Sequence, residues 1–342
     1  MLQNYLKIAW RNIIKNRLFS FINILGLSVG MALVIMIFLY IQHERSYNQT
    51  IPNKEQVYRL YRSYPSANGR KQAIVPAPVA PALIGEVPEI KSASRFSGID
   101  EVLVQKENES IFIDGFATAD SLFFQTVPLA LQLGDPKTVF RRPASAVLSQ
   151  HAAQLLFGKD SPVGQTLTIN EEQQVTVTGV FAKPSGPSHF NAVNLLVSQN
   201  EFSPYWTGGH CEVYVNLVNN TEATMASEKA TAMANNYVKQ EYLEDGESPP
   251  SRYPDWKFQP LLDIHLHSTN VSGYNGKNGS LRQIGILLLL AFIVLLIACI
   301  NYMNLATAKA TKRSKEVGIR KVSGATFGQM VSQFLSESIM QS

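Results

Sequence analysis

The stretch from Ile284 to Ala325 decides the fold. It opens with the apolar run IGILLLLAFIVLLIACI (Ile284–Ile300), continues through NYMNLATA, and then changes to KATKRSKEVGIRKVSGA (Lys309–Ala325). The apolar run and its Ala/Leu/Thr tail are long enough to cross about 30 Å of hydrocarbon as a helix. A lipid-exposed backbone must satisfy its own hydrogen bonds, so a single span has to be helical. So long an uncharged apolar run is rare in soluble domains, which disfavours the alternative of a core helix followed by a basic surface loop.

A second apolar run, Leu18–Ile41 (LFSFINILGLSVGMALVIMIFLYI), follows a basic amphipathic segment, residues 1–17, that we expect to lie at a membrane surface. A signal peptide is disfavoured, because the run is too long for such a segment and no small-x-small cleavage site follows it. This run contains three small residues that could let another helix approach closely: Gly26, Ser28 and Gly30. The alternative is that they are ordinary tolerated residues of a membrane helix with no packing role.

The charges predict the topology. Both basic flanks lie outside the pair of apolar runs, so both are expected in the cytoplasm and residues 43–283 on the other side. The net charge is +4 and many of the cations sit beside the runs. This distribution favours anionic lipid or a cytoplasmic partner over nucleic acid.

The sequence therefore predicts an extracytoplasmic α+β domain inserted between two transmembrane α-helices. The expected parts are a cytoplasmic amphipathic helix (1–17), a first transmembrane helix (18–42), the extracytoplasmic domain (43–283), a second transmembrane helix (284–308) and a cytoplasmic segment (309–342) that begins a further helix. Strand-like composition predicts strands at Gln56–Tyr64, Glu101–Gln105, Ser110–Phe116, Gln174–Phe181 and Lys257–His267. Helical patterns fall within Ala73–Pro88, Ser145–Phe157 and Ala223–Gln240.

No ATP site is found in the sequence. A phosphate-binding loop needs a glycine five residues before its Gly-Lys pair and a Ser or Thr after it. The pairs Gly158-Lys159 and Gly276-Lys277 fail on both counts. Any use of ATP therefore requires a separate subunit.

No catalytic, cofactor-binding or metal-binding residue is predicted. His265 and His267 would alternate on the expected last strand, with Asp263 as the single further ligand nearby, which is too small a set for a metal site. His210-Cys211-Glu212 are neighbours in sequence, which does not make a positioned nucleophile and base. Cys211 and Cys299 lie in different parts of the chain, so we expect no internal disulfide.

The segment Glu316-Val317-Gly318-Ile319-Arg320-Lys321-Val322-Ser323-Gly324-Ala325 resembles the exit of the second membrane helix in FtsX/MacB-type ABC transporter permeases. In that family a Glu-x-Gly-[Ile/Val]-Arg-Lys-x-x-Gly-Ala motif leads into a short coupling helix. Three further stretches are similar to family motifs: HERSY (His43–Tyr47), FGKDSPVG (Phe157–Gly164) and QPLLDIHL (Gln259–Leu266).

The resemblance implies a permease subunit that transmits the motion of a cytoplasmic ABC ATPase to the outer domain, for export or extraction of an amphiphile, peptide or antibiotic. The ATPase-coupling residues it implies are Glu316, Gly318, Arg320, Lys321, Gly324 and Ala325. The glycines permit turns or close backbone approach, and Arg320 offers a bidentate fork to a partner carboxylate. A purely electrostatic lipid anchor is the alternative for this segment, and it would need neither the glycines nor Glu316.

The resemblance also implies a second permease copy (as a homodimer or pseudo-dimer), contact with membrane lipid, a periplasmic adaptor, and a multi-pass protein of the bacterial inner membrane with its middle domain in the periplasm. Family members have at least four spans, whereas this chain shows two and stops at Ser342, so we expect a fragment or a truncated gene product. A membrane-anchored periplasmic sensor or ligand-binding protein is the alternative. That alternative predicts a cytoplasmic signalling domain, for which residues 309–342 alone remain.

Overall fold

The computed structural model describes residues 17–65, 69–107, 109–219, 222–268, 270–274 and 278–322, together with 328 and 331. The chain divides into two compact units. One unit combines Met1–Gln42 with Arg282–Ser342, and the other is the middle domain, His43–Leu281. Each unit is described by itself below.

The α-helices and strands have the following bounds. The helices are α1 (Arg17–Arg45), α2 (Val79–Glu86), α3 (Phe123–Thr126), α4 (Gln150–Phe157), α5 (Ala223–Glu244), α6 (Ile264–His267) and α7 (Leu281–Val322). The strands are β1 (Val57–Tyr64), β2 (Arg70–Gln72), β3 (Ile74–Val75), β4 (Ile90–Lys106), β5 (Glu109–Ala119), β6 (Leu131–Leu133), β7 (Ser145–Ser149), β8 (Thr166–Ile169), β9 (Gln173–Phe181), β10 (Leu195–Ser198), β11 (Cys211–Leu217), β12 (Asp255–Pro260) and β13 (Val271–Ser272).

Two of the described helices are long and apolar enough to cross a membrane, over Leu25–Arg45 in α1 and Leu281–Asn301 in α7. Helix α7 does not end with its apolar part but continues through the basic segment as far as Val322. At 1.5 Å per residue, its 42 residues extend over about 63 Å, roughly twice the thickness of the hydrocarbon layer. The basic segment is therefore a rigid extension of the apolar helix, at least to that residue.

The strands of the middle domain join one sheet in the order β13-β2-β1-β11-β4-β5-β10-β7-β9-β6, with β12 paired to β1 and β3 to β11. Strand β11 (CEVYVNL) is buried along its whole length. It is paired at its edges with β1 and β4, and its two faces meet different apolar clusters: Val213 and Val215 belong to one, and Tyr214 belongs to another. This burial on both faces explains why its sequence is not simply alternating.

Part of this sheet closes into a barrel. Strand β8 pairs with both β4 and β9, so β4, β5, β10, β7, β9 and β8 form a ring of six strands. Every strand of the ring contributes to one apolar cluster, whose members include Val102, Ile113, Leu148, Leu167, Val177 and Leu195. Helix α4 follows β7 directly and adds Ala152 and Phe157 to the same cluster. The helix therefore covers the barrel beside the end of β7, and the start of β7 lies at the other end.

The predicted α+β domain between two apolar helices is confirmed, and two element predictions are wrong. Ser145–Phe157 was expected to be one helix, but its first five residues form the buried strand β7. The helix starts only after Ser149, whose Oγ accepts a hydrogen bond from the Ala152 amide at 3.1 Å and so caps it.

The second correction concerns Lys257–His267, which was expected to be one strand. The strand β12 ends at Pro260, a residue that has no N–H to continue a ladder. A 3-10 turn (Leu261–Asp263) and the short helix α6 follow. His265 and His267 are therefore not alternate residues of a strand: His265 is buried, whereas His267 is exposed and lies 3.4 Å from Asp263.

Candidate functional site

The predicted coupling residues Glu316, Gly318, Arg320 and Lys321 lie in the last turns of α7. The backbone at Gly318 is helical, so the turn that this glycine could have permitted does not form there, and the coupling role of these residues stays a prediction. A single glycine weakens a helix by about 1 kcal/mol, which the surrounding Lys, Arg and Glu residues can offset. A methyl group added at Gly318 would meet nothing within 4 Å. Gly324 and Ala325 lie outside the described residues.

Gly26 and Gly30 face α7 within the unit formed by the two long helices. A Cβ atom added to Gly26 would lie 3.2 Å from Nδ2 of Asn301, and one added to Gly30 would lie 3.4 Å from Cβ of Ala298. Ser28 instead donates a hydrogen bond to the carbonyl of Leu25 in its own helix, at 3.2 Å. A side chain at either glycine would therefore be close to α7, and the helix-packing role of Gly26, Ser28 and Gly30 stays a prediction.

A polar cluster lies where α1 ends, within the middle domain. We call it the α1-end cluster, and it consists of Glu44, Tyr47, Asn48, His189 and His265. The Glu44 carboxylate lies 2.9 Å from Nε2 of His265, and these side chains are only 12% and 4% exposed. The ring of Tyr47 stacks on that of His265, with 3.4 Å between centroids and 2° between planes. Two stretches that resemble family motifs, HERSY and QPLLDIHL, therefore meet in this cluster.

Asn48 links three separate segments of the cluster. It is fully buried, and its φ of 60° is in the left-handed region that asparagine tolerates better than most residues. Its Nδ2 donates to the Leu261 carbonyl at 2.9 Å and lies 2.8 Å from Nδ1 of His189. Its Oδ1 accepts from the hydroxyl of Ser188 at 2.9 Å. Asn48 was not predicted from sequence, although it directly follows the HERSY stretch and asparagine is a residue expected at such backbone positions.

His189 is held neutral in this cluster. Burial, then the electrostatic effects of Arg59 and His265, lower the pKa of His189 to about 3. The contact with Asn48 agrees with this, because an amide nitrogen donates and Nδ1 must then accept. Arg59 is itself buried and is paired with Glu212 at 3.3 Å, so its charge is a fixed part of the domain.

We expect His189 to make the domain sensitive to mild acid. An unfolded chain binds a proton at this residue near pH 6.5, whereas the folded domain does not until about pH 3, so stability falls as pH drops through that window. Between pH 6.5 and 5 the loss should be about 2 kcal/mol, or about 4–8 °C in melting temperature. The measurement is the thermal unfolding of the detergent-solubilised chain, followed by the fluorescence of the buried Trp256.

His189→Asn should flatten this pH dependence, because an asparagine oxygen can accept from Asn48 but does not titrate. The matched control His151→Asn changes an exposed histidine and should leave the slope as it is in the wild type. If the melting temperatures of His189→Asn and the wild type fell equally steeply with pH, the acid sensitivity could not be assigned to His189.

Two other groups were considered from sequence: the residues around Cys211 and the possible metal ligands. Burial raises the pKa of the Cys211 thiol to about 12, so it is a poor nucleophile. Within the ranges that the structure describes, no three His, Cys, Asp or Glu side chains lie close enough to hold a metal ion.

Two apolar helices with an α+β domain between them define a membrane-anchored protein with a domain outside the hydrocarbon layer. Residues 20–233 match the family described as MacB-like periplasmic core domain, and residues 288–342 match the FtsX-like permease C-terminal family. The chain belongs to the FtsX/MacB-type ABC transporter permeases. Its middle domain is accordingly a periplasmic domain.

Two relatives illustrate the similarity. The uncharacterized ABC transporter permease YknZ of Bacillus subtilis is 27% identical over 199 residues, which are 57% of this chain and 44% of the relative. The macrolide export ATP-binding/permease protein MacB of Burkholderia cenocepacia is 24% identical over 351 aligned residues, covering 98% of this chain and 47% of the relative. The chain thus spans about half the length of the curated relatives it matches.

Solved structures of single domains are also similar. A domain of a permease protein from Porphyromonas gingivalis has 17% identity and a TM-score of 0.48, over 61% of this chain and 92% of that one. The periplasmic region of MacB from Actinobacillus actinomycetemcomitans has 17% identity and a TM-score of 0.42, over 66% of this chain and 97% of that one.

Proposed function

We propose that this chain transmits the ATP-driven motion of a cytoplasmic ABC ATPase to its periplasmic domain. The observation that carries the proposal is the continuity of α7, which runs unbroken from Leu281 to Val322. A helix resists bending and stretching over such a length, so a displacement of its basic end is passed to its other end. The sequence has no phosphate-binding loop, which is why the proposal assigns ATP hydrolysis to a partner.

The α1-end cluster supports a second connection to the domain. Glu44 is in the last turn of α1 and contacts His265 of α6, while Tyr47 stacks on the same histidine. A buried contact of this kind holds Glu44 and Tyr47 firmly within the middle domain. We infer that motion of α1 is passed on through Glu44, Tyr47 and Asn48.

The names of the relatives suggest the substrate class. Several are called macrolide export ATP-binding/permease proteins, and we propose export or extraction of an amphiphile, peptide or antibiotic for this chain. We further propose that it works as a homodimer or pseudo-dimer with a cytoplasmic ABC ATPase, in contact with membrane lipid and with a periplasmic adaptor, as a multi-pass protein of the bacterial inner membrane.

The proposed topology predicts different accessibilities on the two sides of the membrane. In a Cys299→Ser background, Ser248→Cys should react with a membrane-impermeant maleimide in intact spheroplasts, because residue 248 belongs to the exposed part of the periplasmic domain. Ser314→Cys, in the basic part of α7, should react only after the membrane is permeabilised. Equal labelling of both positions in intact spheroplasts would overturn this topology.

The proposed function is tested by assembly with the ATPase. The full-length permease, purified in nanodiscs, should capture the cognate ATPase and raise its turnover. A permease that neither captures nor stimulates the ATPase of its own operon would contradict the proposal, and the sensor alternative would then be favoured.

A further inference from the structure

The barrel of the periplasmic domain has an open mouth opposite α4. A cavity of about 680 Å³ lies there, between the ends of β5, β8 and β10 and the starts of β7 and β9. Such mouths of small barrels are preferred positions for ligands. We propose that this cavity binds an amphiphile that carries an apolar group and a protonated amine. The proposal concerns the domain alone and does not depend on coupling to an ATPase.

The apolar part of the cavity is formed by the barrel interior. Ile169 and Val197 belong to the buried apolar cluster of the barrel, and Phe116 and Ala144 pack against that cluster. An apolar group of a ligand placed here would extend the existing core and leave water, which is favourable. Ala144 also has a φ of 55°, a strained conformation for alanine of the kind that clusters at ligand sites.

Ser198 supplies a polar group that lacks a partner. It is the last residue of β10, it is 4% exposed, and it lines the cavity. No described residue forms a hydrogen bond with its Oγ. The neighbouring Thr118 hydroxyl, in contrast, donates to Oε1 of Gln199 at 2.6 Å. Buried hydroxyls are normally paired, so the Ser198 hydroxyl is available to a ligand atom.

The charges at the cavity select a cation. Among the described residues that line it, the ionisable ones are Glu172 and Glu201, both exposed at the rim, and none is a lysine, arginine or histidine. Glu172 follows a tight turn that is held in place, because Oδ1 of Asn170 accepts from the Leu103 amide of β4 at 3.2 Å. Two carboxylates beside an apolar cavity favour a protonated amine and repel an anion.

A cysteine at position 198 reports directly on this cavity. We suggest Ser198→Cys in the Cys299→Ser background, with the full chain in nanodiscs. The labelling rates of two thiol reagents of opposite charge are compared: 2-(trimethylammonium)ethyl methanethiosulfonate, a cation, and 2-sulfonatoethyl methanethiosulfonate, an anion. The labelling rate of each reagent is divided by the rate at which the same reagent reacts with a small thiol free in solution. The cationic reagent should react about threefold faster or more, and the preference should shrink at high salt.

Two pairs of substitutions distinguish the effect of the cavity carboxylates on the labelling rates from the effect of the overall charge of the domain. Glu172→Gln with Glu201→Gln should remove the preference for the cation. The matched pair Glu244→Gln and Glu247→Gln changes two exposed acids that do not line the cavity, and it should keep the preference. Cys211, buried in the core, serves as the folding control, because it should stay unlabelled in every folded variant.

Probe molecules test the ligand class. 4-Phenylbutylamine should slow the labelling of Ser198→Cys and give saturation-transfer NMR signals with the wild-type chain, whereas 4-phenylbutyrate should do neither. A folded Ser198→Cys variant that reacts with neither reagent would show that the cavity is closed and would overturn the proposal. Equal binding of 4-phenylbutylamine and 4-phenylbutyrate would also overturn the proposal. If the cysteine variant misfolds, absence of amine-selective binding to the wild-type chain overturns it equally.

Discussion

Arg320→Glu is expected to reduce stimulation of the ATPase at least tenfold. The residue lies near the end of the described part of α7, where we propose that the ATPase binds. Reversing its charge removes a bidentate donor and sets like charges against a partner carboxylate, and disrupting such a pair typically costs 2–5 kcal/mol or more. The measurement is ATP turnover with the full-length permease in nanodiscs, together with the affinity of the captured ATPase.

Position 318 provides a matched test of the rigid helix itself. Gly318→Pro removes a backbone donor and breaks or kinks the helix, so it should uncouple ATP turnover while the spans stay inserted. Gly318→Ala should keep or slightly improve coupling, because alanine favours the helix by about 1 kcal/mol and the added methyl group meets nothing within 4 Å. Wild-type coupling in both Gly318→Pro and Arg320→Glu would favour the lipid-anchor alternative instead.

Asn48→Ala is expected to destabilise the periplasmic domain by about 3 kcal/mol, a drop of about 6–12 °C in melting temperature. The change leaves the hydroxyl of Ser188 and the carbonyl of Leu261 without the partners that Asn48 provides. It also places alanine in the left-handed region, which costs a further 1–2 kcal/mol or so.

Asn48→Gly separates these two causes. Glycine accepts the φ of 60° without strain, so it should lose the hydrogen bonds but recover about 1 kcal/mol relative to alanine. The measurement is thermal unfolding followed by the fluorescence of Trp256. A melting temperature within 1–2 °C of wild type for Asn48→Ala would show that the α1-end cluster does not hold the domain together.

Much of the architecture could be predicted because hydropathy and charge act over long stretches. The run IGILLLLAFIVLLIACI and its basic flank fix a membrane helix from composition alone. Its end could not be located in the same way, because Lys, Arg and Glu are good helix formers and continue a helix as readily as they begin a loop. Gly318 permits a turn, and a local pattern does not show that its helix-forming neighbours outweigh this one weak position and keep the helix intact.

The elements that were missed depend on long-range pairing. SAVLS reads as helical beside QHAAQLLF, yet it is a strand because β9 and β10 flank it on both sides. The barrel closes only through the contacts of β8 with β4 and β9, which no local sequence pattern encodes. The same holds for the α1-end cluster: Asn48 and His189 are 141 positions apart, and only the folded chain brings them within 2.8 Å.

In the proposed mechanism, ATP-driven motion at the basic end of α7 moves the two long helices and, through them, the periplasmic domain as a rigid body. Spin labels at Phe21→Cys and Val322→Cys, both exposed positions of the two long helices, measure the first motion by pulsed electron paramagnetic resonance. Labels at Gln174→Cys and Glu228→Cys, both exposed, measure the interior of the periplasmic domain. With the cognate ATPase in nanodiscs, adding ATP and vanadate should shift the helix-pair distance by about 2 Å or more and leave the domain pair unchanged. An unchanged distance between Phe21→Cys and Val322→Cys in the ATP-trapped state would contradict the proposed mechanism.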